Sequence, residues 1–145
     1  MNSQPNIFDV SACLCSNLRK AARTVTQAYD AALLPSDIKI TQFILLSKLS
    51  TLGEVPVSTL ADALVMDRTT LTRNLKPLIS RGWIRIAADD DRRVRLVSLT
   101  REGQARFEDA HPHWQQAQVQ MTERLGTERL GALLDDLSAT IAKSR

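Results

Sequence analysis

With 145 residues, 43% of them hydrophobic and 24% charged, the chain has the size and composition of one domain with a substantial core. No apolar run reaches the length of a membrane span, and Met1-Asn2-Ser3-Gln4-Pro5 lacks the start of a signal peptide, so the expectation is a cytoplasmic protein with no membrane partner. A net charge of +3 permits an acidic partner without demanding one, and 4% aromatic residues disfavour a base-stacking or carbohydrate-binding surface.

Residues 1–6 are expected to fray. Phe8 to Leu34 then reads as one long helix, with Leu14, Leu18, Ala21, Val25, Ala28 and Ala32 on one stripe. Leu34-Pro35-Ser36-Asp37 ends it. Ile40 to Leu49 follows as a helix apolar on all sides, which predicts full burial, and Leu52-Gly53 closes it. Pro56 stands at the entrance to the next helix.

Val57 to Leu64 is a short helix with Leu60, Ala61 and Leu64 on one side, and Val65-Met66-Asp67 is a tight turn. Arg68 to Arg81 is the next helix. Leu71, Leu75, Leu78 and Ile79 recur at i, i+4, i+7 and i+8 and share its inner face. The opposite face carries Arg68, Thr69, Thr70, Thr72, Arg73, Lys76 and Arg81, and Asp67 is placed to cap the helix. Cations and short hydroxyls without a carboxylate suit phosphates and base edges. Pro77 removes one hydrogen bond in mid-helix and is expected to bend it. Between Glu54 and Thr100 there are 8 Lys and Arg against 6 Asp and Glu, so the positive charge is placed locally and not massed.

After Gly82, Trp83 to Ala87 reads as a strand, Asp89 to Arg93 as a polar tip, and Val94 to Leu99 as the returning strand. Helix, helix and hairpin in this order make a winged helix-turn-helix, a mainly α fold with a small antiparallel β-wing. Thr100 can cap a helix from Arg101, and Pro112 predicts a kink or break between Ala110 and His113. Thr122-Glu-Arg-Leu-Gly126 is repeated at once as Thr127-Glu-Arg-Leu-Gly131, which suggests Gly126 as a stop and Thr127 as the next cap. The last helix carries the stripe Leu130, Leu133, Leu134, Leu137 and Ile141.

The first and last helices lie outside the winged helix yet have apolar faces. They can bury those faces on each other and on a second copy, so residues 1–34 and 101–145 are expected to form dimerisation helices around a DNA-binding region at 35–100. Such a homodimer sets two recognition helices about 34 Å apart, one turn of double-stranded DNA. No Gly-rich phosphate loop, nucleophile with a base or catalytic carboxylate pair is present, so neither an enzyme nor a cofactor is expected. Cys13 and Cys15 are two apart and face away from each other on a helix, and His111-Pro112-His113 has no third ligand at a fixed spacing, so no metal is expected.

Leu60-Ala-Asp-Ala-Leu64, Asp67-Arg-Thr-Thr-Leu-Thr-Arg73, Leu78-Ile-Ser-Arg-Gly82-Trp83 and Asp91-Arg-Arg93 followed by Leu99-Thr-Arg-Glu-Gly103 together resemble the MarR family of bacterial transcriptional regulators. The resemblance implies a dimer whose helix from Arg68 enters the major groove while the wing reaches the neighbouring minor groove. Thr69, Thr70 and Arg73 then stand near base edges, with Thr72 also expected among the DNA-binding residues, and Arg73 can pair bidentately with guanine, worth about 1–3 kcal/mol of discrimination. Arg68, Lys76, Ser58 and Thr59 fall near phosphates. Arg93 matches the wing arginine, Asp91 positions it, and Arg92 and Arg95 add phosphate contacts.

The input is less defined. Cys15, Arg23 and Tyr29 resemble the spacing around the peroxide-sensing cysteine of one branch of the family, but Arg19 and Phe43 occupy places where that branch has tyrosines. The family also binds small aromatic acids or lipophilic effectors in a cleft, which Arg19, Arg23, Phe43 and Trp114 are expected to line here. The reading is a sequence-specific regulator, a repressor released by a small effector. The alternatives are a redox sensor acting through Cys15 and a winged helix that binds all duplexes alike.

Overall fold

The computed structural model describes residues 4–91 and 93–145. Its helices are α1 (Leu14–Leu33), α2 (Ile40–Leu52), α3 (Val57–Ala63), α4 (Arg68–Ser80), α5 (Arg101–Leu125) and α6 (Thr127–Lys143). Its strands are β1 (Val55–Pro56), β2 (Ile84–Ala88) and β3 (Arg95–Leu99). The expected winged helix-turn-helix, with helices before and after it, is what forms. No helix among the described residues is long and apolar enough to cross a membrane.

The long first helix is shorter than its periodicity predicts. Val10–Ala12 is a separate 3-10 turn, and Cys13 has extended backbone, its Sγ accepting the Ser16 N–H at 3.5 Å. Local polar bonds compete with the helix here. The Asp9 carboxylate accepts the Ser11 N–H, and the Asn17 amide donates to the Ser11 and Cys13 carbonyls at 2.8 and 2.9 Å.

Helix α2 is the centre of the core, with Ile40, Phe43, Leu45, Leu46 and Leu49 buried. Its apolar circumference is not wholly covered, because Ile44 stays 46% exposed. Asp30 of α1 accepts the Ile40 N–H at 2.8 Å and so holds the start of α2 from outside. Leu60 and Ala61 of α3 and Leu71, Leu75 and Leu78 of α4 belong to the same core cluster. Ile79 was expected on that inner face but is 39% exposed; it lies 100° round the helix from Leu78, and the core covers only one of the two positions.

Strand β3 lies between β1 and β2, antiparallel to both, with Ile84 opposite Leu99 and Val55 opposite Val97. The two-residue β1 escapes sequence reading because Pro56 cannot donate to a ladder and is tolerated only at an edge. The wing is joined to α5 at Thr100. Its hydroxyl donates to the Gly82 carbonyl at 2.5 Å and accepts the Gly103 N–H at 3.0 Å, while its own N–H reaches the Trp83 carbonyl at 3.1 Å. A Cβ on Gly103 would stand 2.0 Å from the Trp83 oxygen, so this close crossing requires glycine and explains the Leu-Thr-x-x-Gly spacing.

At the C-terminal end, the alternative of a break at Pro112 and the expectation of Thr127 as a cap are corrected. Helix α5 runs through Pro112 without a break. Proline removes only the bond to the Glu108 carbonyl, and Pro112 is exposed, so water can satisfy that oxygen. Gly126, with φ 87°, caps both α5 and α6, and Thr127 is the first residue of α6 instead of its cap.

The α3–α4 turn holds a strained position. Val65 has φ 53°, a conformation costly for a β-branched residue, while Met66 N–H bonds the Ala61 carbonyl across it at 2.9 Å. Val65 is half exposed, so little packing depends on its side chain. Val65→Gly is therefore expected to stabilise the fold by about 1 kcal/mol, raising Tm by about 3 °C. An unchanged or lower Tm in a thermal melt would remove the strain argument.

Candidate nucleic-acid interface

The three buried leucines of α4 turn the opposite side of that helix outward. Arg68, Thr69, Thr72, Arg73 and Lys76 are all exposed there and line one shallow concavity of about 320 Å³. Ser58 and Thr59 are exposed at the start of α3. The expected cationic and hydroxylic face is thus brought together, with two exceptions.

Thr70 is the first exception. It is half-buried, and its backbone N–H and hydroxyl both donate to the Asp67 carboxylate, at 2.7 and 2.8 Å. Its proton is committed to the helix cap. Arg81 is the second. It leaves the outward face, donates to Asp37 and lies over the Trp83 ring, its Cζ 4.4 Å from the ring centroid. Nothing in the periodicity of α4 signals either role, because both depend on residues outside the helix or at its cap.

The wing tip is a tight turn. Asp89 N–H bonds the Val94 carbonyl at 3.0 Å, Val94 N–H bonds the Asp91 carbonyl at 2.9 Å, and the Asp91 carboxylate accepts the Arg93 N–H at 3.3 Å. Asp91 acts on the backbone of Arg93, which leaves its guanidinium exposed at the tip. Arg95 is exposed at the start of β3, opposite Ala88. Arg92 lies outside the described residues.

The residues expected to line an effector cleft are not all in one place. Phe43 is buried, its ring stacked at 5.8 Å on Trp114 and 5.3 Å from Phe107, and His111 joins this aromatic cluster. Trp114 does line an open cavity of about 340 Å³, together with Ala22, Val25, Thr26, Tyr29, Ile40, Thr41 and Ile44. Arg19 and Arg23 are exposed on α1 and are not in its wall, although Arg19 precedes Ala22 by one turn on the same stripe. The Tyr29 hydroxyl bonds Gln118 of α5, and burial pushes its phenol up, so it stays neutral. Cys13 and Cys15 are free and exposed. No His, Cys, Asp and Glu cluster among the described residues is arranged to hold a metal ion.

Residues 38–94 match the model of the MarR family. The chain is 34% identical to the multiple antibiotic resistance protein MarR of Salmonella typhimurium, over 70% of its own length and 72% of the relative's. It superposes with a TM-score of 0.84 on the M. tuberculosis transcriptional regulator MosR in complex with DNA, at 35% identity, covering 91% of this chain and 96% of that one. Against a mutant E. coli MarR complexed with operator DNA the TM-score is 0.80 at 25% identity, covering 94% and 99%.

The Asp67 cap carries a pH signature. Bonds from the Thr70 N–H, then its hydroxyl, hold the Asp67 carboxyl below the usual carboxylate range. A depressed folded pKa contributes stability that is complete above the unfolded pKa and is lost as pH falls through the folded value. Asp67→Ala is expected to lower Tm at neutral pH, with the gap from the parent narrowing on acidification through the carboxylate range. A gap that is constant with pH would show that the charge at the cap does not matter.

Proposed function

The chain belongs to the MarR family, whose members are transcription regulators and not enzymes, and from that premise we propose that it reads a pseudo-palindromic double-stranded DNA operator as a homodimer, as a repressor released by a small effector. The observation that carries this reading is the outward face of α4, where two arginines, a lysine and two threonines converge on one concavity; the wing adds an exposed arginine, Arg93. Such a face offers bidentate and hydroxyl donors to base edges and cations to phosphates. The DNA complexes of MosR and MarR support carrying the groove assignments over.

In this reading Thr69, Thr72 and Arg73 meet base edges. Arg68, Lys76, Ser58, Thr59, Arg92 and Arg95 meet phosphates, and Arg93 enters the minor groove. Thr70 serves the interface through the Asp67 cap, with only its lone pairs left for a base.

Unburied apolar surface favours the dimer. No residue of α6 is buried within one chain, and Leu133, Leu134 and Ile141 are 42%, 51% and 47% exposed. Leu14 and Val25 of α1 and Val119 of α5 are exposed as well. Helices of 17 to 25 residues with uncovered apolar faces need a partner, and residues 1–34 and 101–145 of a second copy supply matching ones. The cavity beside Trp114 is mostly apolar and sits between α1, α2 and α5, where an aromatic or lipophilic effector bears on both the helical stem and the DNA-binding region. Arg19, one turn beyond its rim, can meet a carboxylate. The exposed Cys15 thiol supports oxidation as a second input, tested by whether organic peroxide releases DNA from the parent but not from Cys15→Ser.

Arg93→Ala is expected to weaken binding to any duplex and to make the slope of log K against log salt shallower by about one. Arg73→Ala should relax discrimination at one base position by about 1–3 kcal/mol. Anisotropy titrations at several salt concentrations measure both, and an unchanged slope for Arg93→Ala would remove the wing from the footprint.

A further inference from the structure

The elbow between α1 and α2 is gripped from two distant elements. Asp37 has left-handed backbone, φ 49°. Its carbonyl accepts from Arg81 Nη1 at 2.8 Å and its carboxylate from Arg81 Nη2 at 2.7 Å. Ser36 is 1% exposed; its carbonyl accepts from Arg106 Nη1 at 2.9 Å, and its hydroxyl donates to Asp109 Oδ2 at 2.9 Å. Both guanidiniums also lie over the Trp83 ring, with Cζ 4.4 Å from the centroid for Arg81 and 5.1 Å for Arg106.

Arg81 directly follows the last residue of α4, and Arg106 and Asp109 belong to α5. This one elbow therefore touches the end of the recognition helix and the stem helix, and both guanidiniums that grip it also cover Trp83, the residue before the first wing strand. An exposed ion pair is worth little by itself. Here one planar fork takes two oxygens of a single residue, and the same guanidinium stacks on an indole, which fixes direction as well as distance.

The geometry points to Arg81 as a positioning residue for DNA binding: it ties the C-terminal end of α4 to the α1–α2 elbow and so sets the angle at which α4 stands on the stem. The inference rests on the DNA-binding function proposed above. It differs from the reading that periodicity alone gives, in which Arg81 is one more outward cation touching a phosphate. A phosphate contact contributes to counterion release, whereas a strut does not.

The test uses Arg81→Ala, Arg81→Lys, Asp37→Gly and the Arg81→Ala/Asp37→Gly pair in the full chain. Glycine adopts the conformation of residue 37 without strain, so it removes only the carboxylate. The probe is a labelled duplex that the unsubstituted protein enriches from a pool randomised over about 30 bp, long enough for two half-sites a turn apart. Each single variant is expected to bind about fivefold more weakly with an unchanged salt slope. Lysine should not rescue, because it lacks the fork. The double variant should bind no more weakly than Arg81→Ala, since both changes break one contact.

A slope shallower by about one for Arg81→Ala, with Asp37→Gly unaffected, would make Arg81 a phosphate contact and overturn the inference. Additive losses, or full affinity in both single variants, would overturn it as well. If Arg81→Ala fails to fold in a thermal melt, the affinity and slope of Asp37→Gly decide alone, because its site is exposed and strain-free. Failure of the unsubstituted protein to enrich any duplex would instead overturn the function on which the inference rests.

Discussion

Burial of Leu71, Leu75 and Leu78 sets the roll of α4 about its own axis, and the whole interface depends on that roll. Side chains advance by 100° per residue along a helix, so a shift of one residue would swing Arg73 toward the core and bring Ile79 fully inward. Each buried leucine contributes about 1.5–3 kcal/mol over an exposed one, which makes the alternative rolls costly. The polar face is outward because nothing else in the molecule can cover it. Asp67 caps the same helix, and Thr100 fastens the base of the wing to α5.

The winged helix completes its core within one chain, drawing on Leu33 of α1 and Ala110 of α5, whereas the terminal helices leave apolar faces open. Core contacts among α2, α3, α4 and the sheet close within one chain, whereas α6 and most of α1 bury almost nothing there. This division follows from where apolar residues were placed: all round on α2, one-sided on the terminal helices. A second copy that covers those faces would also fix the distance between two recognition helices. Stability and operator geometry would then come from one interface, and an effector wedged between α1, α2 and α5 would act on both.

Much of this was legible in the sequence where periodicity and caps agreed. The leucine stripe of α4, the strand–tip–strand pattern after Gly82 and the Leu-Thr-x-x-Gly joint all specify structure locally. What escaped the reading was decided by side chains acting across the chain or by polar groups competing with the backbone. Asn17 pulling on the Ser11 and Cys13 carbonyls shortened the first helix, and exposure of Pro112 let α5 continue through a residue that usually stops a helix. Thr70 and Arg81 look like DNA contacts on a helical wheel. The Asp67 carboxylate occupies one, and a left-handed aspartate forty-four positions upstream holds the other. Arg19 and Arg23 have suitable chemistry for an effector site, but Arg19 lies one turn beyond the cavity wall and Arg23 is rotated off its stripe, so neither lines it.

The central claim is that the outward face of α4 reads sequence. The most direct measurement titrates the protein, at one fixed salt concentration, onto a duplex enriched from a random pool and onto a shuffled duplex of the same length and composition. The account expects the enriched duplex to bind at least about 10³-fold more tightly. Equal affinity for the two duplexes, with binding lost in parallel as salt rises, would contradict it and leave a winged helix that recognises only the charge of the backbone.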